Sequence, residues 1–183
     1  FRRVSNEAIV KKLDIVSNLG VSFCTNNIIG FPLETRELAF DTIELNRQIR
    51  SDGSSVTTFV PFHGTPLRTM SETLGYISPG EIAQSIFNPT MLRMPHWSPE
   101  QISGLDRCFV LYVTLPKSMW PEVKKAEELT PKGDEIWNKL RKYALDNEFV
   151  WKDSAVTAAP NALQEVSSAS DGNATPSEES FTE

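Results

Sequence analysis

"TNNIIGFPLET", residues 25–35, begins as a β-prone run and changes character at Gly30. Glycine permits backbone conformations that other residues rarely adopt, and Pro32 stiffens the segment that follows. Thr35 is a residue type that commonly caps the start of a helix. The stretch therefore predicts a strand, a tight turn and a helix in immediate succession.

Helices and strands alternate on both sides of this turn. Ser5 is a predicted N-cap for a first helix, which ends at Gly20 and precedes a strand over residues 21–29. The helix after Thr35 leads to a second strand over residues 55–62. This order predicts an α/β fold with parallel strands and helices on their outer face. Two parallel strands leave open edges, so we expect further strands from upstream sequence or from another chain.

The spacing of apolar residues predicts which face of the second helix is buried. After Thr35, one stripe at helical spacing contains Leu38, Thr42, Leu45 and Ile49. A helix that packs on a sheet turns such a stripe towards the core. We therefore expect this stripe to be the buried face.

The charge is distributed unevenly along the chain. There are 18 Lys and Arg residues against 24 Asp and Glu residues, and no basic residue follows Lys152. Six acidic residues lie beyond that point, so residues 1–152 hold 18 groups of each sign. A neutral body without a basic cluster argues against nucleic acid as a partner. Residues 153–183, rich in Ala, Ser, Thr and Glu, are predicted to form a disordered acidic tail.

The sequence contains no apparent membrane or export signal. No apolar run is long enough for a membrane span, and no signal peptide opens the chain. We therefore expect no membrane partner and a cytoplasmic location. The chain begins at Phe1 rather than Met, so we also expect it to be incomplete at its N-terminus.

Neither the cysteines nor the histidines form a metal-binding pattern. Cys24 and Cys108 are far apart and have no close Cys neighbours, so we expect both to be buried small apolar residues. His63 lies in a PFHGT turn, where it could face a substrate, and His96 precedes a predicted helix cap. A single histidine on a turn is more often solvated or hydrogen-bonded than catalytic. We therefore predict no metal ligand in this chain.

Unusual residues follow both predicted strands. GFPLET comes after the first strand and PFHGTPL after the second. In α/β folds, ligands bind beyond the carboxyl ends of the strands. Gly30 permits close approach of the main chain, and Glu34 with Thr35 adds polar groups at the same end. These segments indicate a ligand site, although ordinary strand-to-helix turns also contain Gly, Pro and Thr.

Residues 26–67 combine these features in an order that is more specific than any one of them. Their sequence, NNIIGFPLETRELAFDTIELNRQIRSDGSSVTTFVPFHGTPL, resembles the late strands of the radical S-adenosylmethionine barrel. In that family an I-G-x-P-x-E-T turn is followed by a helix and then by a strand that ends in P-x-x-G-T. The chain is similar in particular to the group that carries an N-terminal cobalamin-binding domain.

The resemblance implies a fold and an activity. Residues 1–77 would be the C-terminal part of a partial parallel (β/α) barrel, and residues 78–152 would be the helical extension that often follows it. The implied enzyme carries out radical-mediated methylation or a related modification of an unknown substrate. Its implied cofactors are S-adenosylmethionine, a 4Fe–4S cluster and cobalamin, with an external electron donor.

The resemblance also implies which residues lie near the cofactor. The first strand and its turn run past the cofactor, and the end of the second strand borders the adenine. Glu34 and Thr35 organise the turn, whereas Arg3 is a candidate contact for the carboxylate. The implied cofactor-binding residues are Asn27, Ile28, Gly30, Glu34, Phe59, Pro61 and Arg3.

Two features differ from the family pattern. The family holds its cluster with a C-x3-C-x2-C run, whose three thiolates leave one iron open to S-adenosylmethionine, and this run is absent here. We therefore expect the cluster ligands and the cobalamin domain to lie upstream, and the chain to be inactive without them. Leu33 stands where the family turn has Gly, which disfavours a positive φ at this position.

The second half of the chain predicts helices. Ser98 and Gln101 have the spacing of a capping box, and Leu105, Phe109 and Tyr112 then form an apolar stripe. Such a stripe is most often core, and a partner-binding groove is the alternative. Two other functions stay open: a non-catalytic α/β and helical interaction module, and a tRNA methylthiotransferase, which shares the G-F-P-x-E-T turn. The second is disfavoured because the chain has no basic RNA-binding extension.

Overall fold

A computed structural model describes residues 4–147 and 149. In chain order its elements are α1 Asn6–Asn18, β1 Cys24–Ile29, α2 Arg36–Gln48, β2 Gly53–Thr58, α3 Pro66–Thr73, α4 Pro99–Thr114, α5 Trp120–Ala126 and α6 Pro131–Asp146. A 3₁₀ turn, Lys117–Met119, connects α4 to α5. The fold is therefore mixed α/β, as predicted. Arg3 and the predicted tail over residues 153–183 lie outside the described residues.

Side-chain caps explain where the helices begin. Ser5, Thr35 and Thr130 each accept a backbone N–H from the first turn of the helix that follows. Ser98 and Gln101 form the full capping box at the start of α4. The predicted starts at Ser5, Thr35 and Ser98 are thus confirmed.

The two strands form a parallel pair, and both are shorter than predicted. The register runs from Cys24 opposite Gly53 to Ile29 opposite Thr58. The pairing extends by one further bond, from the N–H of Phe59 to the carbonyl of Ile29 at 2.7 Å. It cannot continue at residue 61, because proline has no N–H to donate.

One hydrophobic core joins the two predicted segments, residues 1–77 and 78–152. The stripe of Leu105, Phe109 and Tyr112 on α4 is buried, as predicted. The cluster draws on both strand ends, α2, α4, α5 and α6; its largest members include Ile29, Ile43, Phe59, Trp97, Leu105, Phe109, Tyr112 and Leu140. Burial of this surface is the main force that holds the helices to the sheet.

The buried face of α2 is not the predicted stripe. Ala39, Ile43 and Asn46 are buried, whereas Leu38 is 51% exposed. On this face Asn46 forms hydrogen bonds with Thr25, Asn27 and Ser54 of the sheet. The apolar stripe was therefore the wrong guide to the orientation of α2.

None of the helices in the described part of the chain combines the length and apolar character that crossing a membrane requires.

Candidate functional site

The turn at the carboxyl end of β1, which we call the Gly30–Glu34 turn, is held by hydrogen bonds between its own residues. The Glu34 carboxylate Oε2 accepts the N–H of Gly30 at 2.6 Å and the N–H of Phe31 at 3.0 Å. Gly30 has a φ of +81°, which a residue without Cβ adopts readily. Both N–H groups of the bend are thus satisfied by a side chain of the same turn.

Leu33 adopts a positive φ of +69°, so the expectation that leucine would avoid this conformation is wrong. A left-handed conformation costs a residue with Cβ about 1–2 kcal/mol. The bonds from Glu34 to the bend, the bond from its N–H to the Phe31 carbonyl at 3.0 Å, and the Thr35 cap of α2 offset this cost. The turn is therefore held in shape by contacts on both sides of Leu33.

Glu34 is a partly buried carboxyl group in this turn. Burial raises the pKa of Glu34 above its ordinary value, while the N–H groups of Phe31 and Gly30 act in the opposite direction. Its carboxylate serves as an acceptor for the backbone, which fits the predicted role of Glu34 as an organiser of the turn.

The sheet has two different faces, because side chains alternate along each strand. On the covered face, which lies under α2, the Asn27 amide donates to Asn46 Oδ1, Ser54 Oγ and the Ser55 carbonyl at 3.0–3.2 Å. Asn46 Nδ2 donates back to Asn27 Oδ1 at 2.8 Å. The side chain of Asn27 is therefore used within the fold, and its main chain lies in the paired strand β1.

The opposite face, which we call the open face, consists of Cys24, Asn26 and Ile28 on β1 and Ser55 and Thr57 on β2. The three β1 residues are exposed, and Ile28 keeps 48% of its surface. Ser55 donates its hydroxyl to Asn26 Oδ1 at 2.6 Å. The open face thus presents small polar groups and one apolar side chain to whatever lies above it.

The two cysteines have different surroundings. Cys108 is buried, as predicted, but Cys24 is exposed, so the prediction that both are core residues was wrong for Cys24. The position of Cys24 at the first residue of β1 places it on the open face, where a Cβ at Gly53 would lie 2.3 Å from Cys24 Sγ. Residue 53 therefore has to be glycine as long as Cys24 keeps this position.

Phe59 and Pro61 lie at the carboxyl end of β2, beside the turn. The Phe59 ring packs on Phe31 with centroids 5.0 Å apart and is 8% exposed. Pro61 is fully buried, and its carbonyl accepts Arg68 Nη1 at 3.0 Å. The structure thus brings Phe59 and Pro61 to the same end of the sheet as the Gly30–Glu34 turn.

A contact that the sequence did not predict reaches the turn from a distant loop. His96 Nε2 lies 2.9 Å from the Glu34 carbonyl oxygen, and its ring meets Tyr76 edge to face at 6.3 Å. Both His96 and the other histidine, His63, are exposed. No local pattern could have indicated this contact, because its partners are 62 residues apart.

Two surface cavities lie away from the turn. One of about 440 Å³ lies between the start of α4 and the end of α5, and is lined by Glu100, Gln101, Lys124, Lys125, Glu127, Glu128 and Leu129. The other, about 230 Å³, adjoins the end of α1. Neither is lined by a residue of the Gly30–Glu34 turn.

The residues present do not fit an iron–sulfur cluster. Within residues 4–147 and 149, no three His, Cys, Asp or Glu side chains are grouped so that they could hold a metal ion. The two cysteines cannot supply three thiolates, and one of them is buried. Any cluster would need ligands from outside this chain.

No family model, no curated protein and no solved structure matches this chain. Its function therefore has to be inferred from its residues and their arrangement.

Proposed function

We propose that this chain forms the last part of the barrel, with its helical extension, in a cobalamin-binding radical S-adenosylmethionine enzyme that methylates or otherwise modifies its substrate. The observation that carries the proposal is the IGFPLET turn, residues 29–35, at the carboxyl end of a parallel strand–helix–strand unit. This is the end of a parallel sheet at which ligands bind.

The two faces of the sheet support a position in a barrel wall. α2 contacts the covered face through Asn46, while the open face carries small polar side chains and Ile28. A barrel needs this asymmetry, because one face of its strands meets the outer helices and the other faces the interior. Among the described residues no further strand pairs with the outer edges of β1 and β2, and these edges are where further strands of the proposed barrel would pair.

The role of this chain in such an enzyme is to shape the site. Its described residues do not fit the cluster, so the cluster and cobalamin would be held by other parts of the protein. The Gly30–Glu34 turn offers the exposed side chain of Leu33, since its N–H groups at Gly30 and Phe31 and its carbonyl groups at Phe31 and Glu34 are already bonded. Ile28, on the open face, would supply an apolar contact next to that turn.

The test is anaerobic reconstitution, with iron and sulfide, of the protein that includes the sequence upstream of Phe1. We expect visible absorbance from a cluster and reductive cleavage of S-adenosylmethionine to 5'-deoxyadenosine. The 183-residue chain serves as the control and should bind no cluster. If the longer protein shows neither absorbance nor cleavage, the proposal is wrong.

The alternative function is a non-catalytic interaction module. It is favoured by the exposed side chains of the open face, which a partner could cover. Upstream sequence without C-x3-C-x2-C, together with failure of the reconstitution, would favour this alternative.

A further inference from the structure

We infer that His96 is a positioning residue of the Gly30–Glu34 turn, holding the Glu34 carbonyl while the Glu34 carboxylate holds the N–H groups of the bend. The effect on cofactor binding rests on the proposed function, whereas the effect on the turn does not. The inference makes the helical extension a part of the candidate site, because His96 lies outside residues 1–77.

The direction of the hydrogen bond follows from its partners. A carbonyl oxygen can only accept, so at 2.9 Å from the Glu34 oxygen His96 Nε2 has to carry the hydrogen. The backbone around His96 is fixed, because Met94 and Trp97 form a bridge and are 4% and 1% exposed. The ring is also held by its edge-to-face contact with Tyr76. His96 is thus anchored independently of the turn that it holds.

Three contacts together fix the turn, and two of them come from the extension. The Glu34 carboxylate binds the N–H groups of Gly30 and Phe31 from within the turn. His96 binds the Glu34 carbonyl from outside it. Ile102 on α4 lies under the bend, where a Cβ at Gly30 would be 3.3 Å from its Cγ2. A bend that contains a strained Leu33 needs such support from structure around it.

Loss of the His96 bond should therefore loosen the carboxylate bonds as well. When the Glu34 carbonyl is released, the strain at Leu33 is opposed by fewer contacts, and Glu34 leaves Gly30 and Phe31 more often. Their amide hydrogens then exchange with solvent more rapidly, which NMR can measure residue by residue.

The experiment compares His96→Leu with His96→Gln, whose side-chain amide can place a donor near the position of Nε2. His63→Leu is the matched control, because His63 is exposed like His96 but lies on another turn. In the 183-residue chain we expect His96→Leu to speed amide exchange at Gly30 and Phe31 by about three- to tenfold, as for one lost hydrogen bond. His96→Gln should restore most of the protection, and His63→Leu should change neither amide.

Exchange at Leu105 and Phe109 in the middle of α4 separates loosening of the turn from general unfolding. We expect those amides to keep their protection in every variant. The inference would be overturned if the amides of Gly30 and Phe31 exchanged equally fast in the wild type and in His96→Leu. It would also be overturned if His96→Leu accelerated all four amides equally and His96→Gln did not reverse this acceleration.

The reconstituted longer protein provides the functional arm, with S-adenosylmethionine as the probe. His96→Leu should raise KM for S-adenosylmethionine by about three- to tenfold with a smaller change in kcat, and His96→Gln should reverse it. If the wild type cleaves no S-adenosylmethionine, the proposed function fails while the exchange result still decides the role of His96. If the wild type is active and His96→Leu has the wild-type KM, the role of His96 in cofactor binding is wrong.

Discussion

Leu33 adopts a backbone conformation that leucine disfavours but that the turn requires. Glu34 has to return to Gly30 and Phe31 while Thr35 begins α2, and the chain meets both demands only with a φ of +69° at Leu33. The sequence predicted the turn from its Gly, Pro and Thr, but it could not predict this conformation, which is unfavourable for leucine locally. It also could not predict His96, whose partner Glu34 is distant in the chain.

Leu33→Gly should stabilise the protein, because glycine adopts this φ without strain. Removing the backbone strain stabilises the folded state by about 1–2 kcal/mol, but the larger backbone entropy of glycine in the unfolded chain cancels part of this. The free energy of unfolding should therefore rise by about 0.5–1 kcal/mol. Leu38→Gly is the control: Leu38 is 51% exposed, against 53% for Leu33, but lies in a helix. There glycine should lower the free energy of unfolding by about 1 kcal/mol. Urea unfolding measures both, and a loss of stability in Leu33→Gly would contradict the strain argument.

Asp106 on α4 makes stability depend on pH. Its Oδ1 is buried without a hydrogen-bond partner among the described residues, and burial raises the pKa of Asp106 from 3.8 to about 6. Because the folded pKa is the higher one, the stabilisation is fully present below pH 3.8 and is lost as the pH rises through about 6. Asp106→Asn should therefore raise the free energy of unfolding at pH 7 by about 1–3 kcal/mol and change it little near pH 4.

Urea unfolding at both pH values tests this expectation, with Asp41→Asn at an exposed site as the control. The control should have a small effect at both pH values. An equal gain at pH 4 and pH 7 in Asp106→Asn would show that removal of the buried charge is not the cause.

At the scale of the elements, the starts of helices were easier to predict than their faces. Ser5, Thr35 and Ser98 signal a helix start through contacts within one turn, so the local sequence is sufficient. The face of α2 depends on Asn46, which is buried because Thr25 and Asn27 of β1 supply its hydrogen-bond partners. Periodicity counts apolar residues and therefore cannot detect a polar contact between a helix and a sheet.

Arg47 on α2 holds the end of α4, so its removal should be costly. Its Nη1 donates to the carbonyls of Tyr112, Val113 and Leu115 at 2.7–2.8 Å. These groups have no partner within the helix, and a charged donor is worth about 1.5–3 kcal/mol in such a position. Arg47→Leu should lower the free energy of unfolding by about 2–3 kcal/mol.

Arg50→Leu is the matched control for Arg47→Leu. Arg50 pairs with Asp14 at 3.2 Å, but both side chains are largely exposed, at 60% and 43%. An exposed pair contributes about 0–1 kcal/mol. Unfolding in urea, followed by tryptophan fluorescence, should show a larger loss of unfolding free energy for Arg47→Leu than for Arg50→Leu. Similar losses in the two variants would argue against the role of Arg47 as a cap.

At the scale of the whole molecule, the boundary predicted after residue 77 divides a shared core. Arg36 on α2 forms a paired contact with Glu127 at 2.5 and 2.9 Å, and the Tyr112 hydroxyl donates to the same carboxylate at 2.6 Å. Phe40 also contacts the rings of Tyr112 and Trp120, which contact each other, with all three centroid distances between 4.9 and 5.4 Å. The sequence predicted the helices on both sides of the boundary, but nothing in their periodicity indicated which helices would pack against each other.

Residues 1–77 should therefore not fold when they are separated from the rest of the chain. Without α4, the apolar residues Ile29 and Ile43 would be exposed to water, and two strands with three short helices bury too little surface to offset the loss of chain entropy. We expect a fragment of residues 1–77 to show no cooperative thermal unfolding by circular dichroism, whereas the 183-residue chain unfolds cooperatively. Gly104→Ala in the whole chain reaches the boundary indirectly: the new Cβ would lie 2.4 Å from the Glu127 carbonyl oxygen, push α5 away from α4 and so disturb the Arg36–Glu127 contact, which should lower the melting temperature. Cooperative unfolding of the fragment would mean that the extension is an independent body rather than the support on which the strand–helix–strand unit depends, and an unchanged melting temperature in Gly104→Ala would contradict the close packing of α5 on α4.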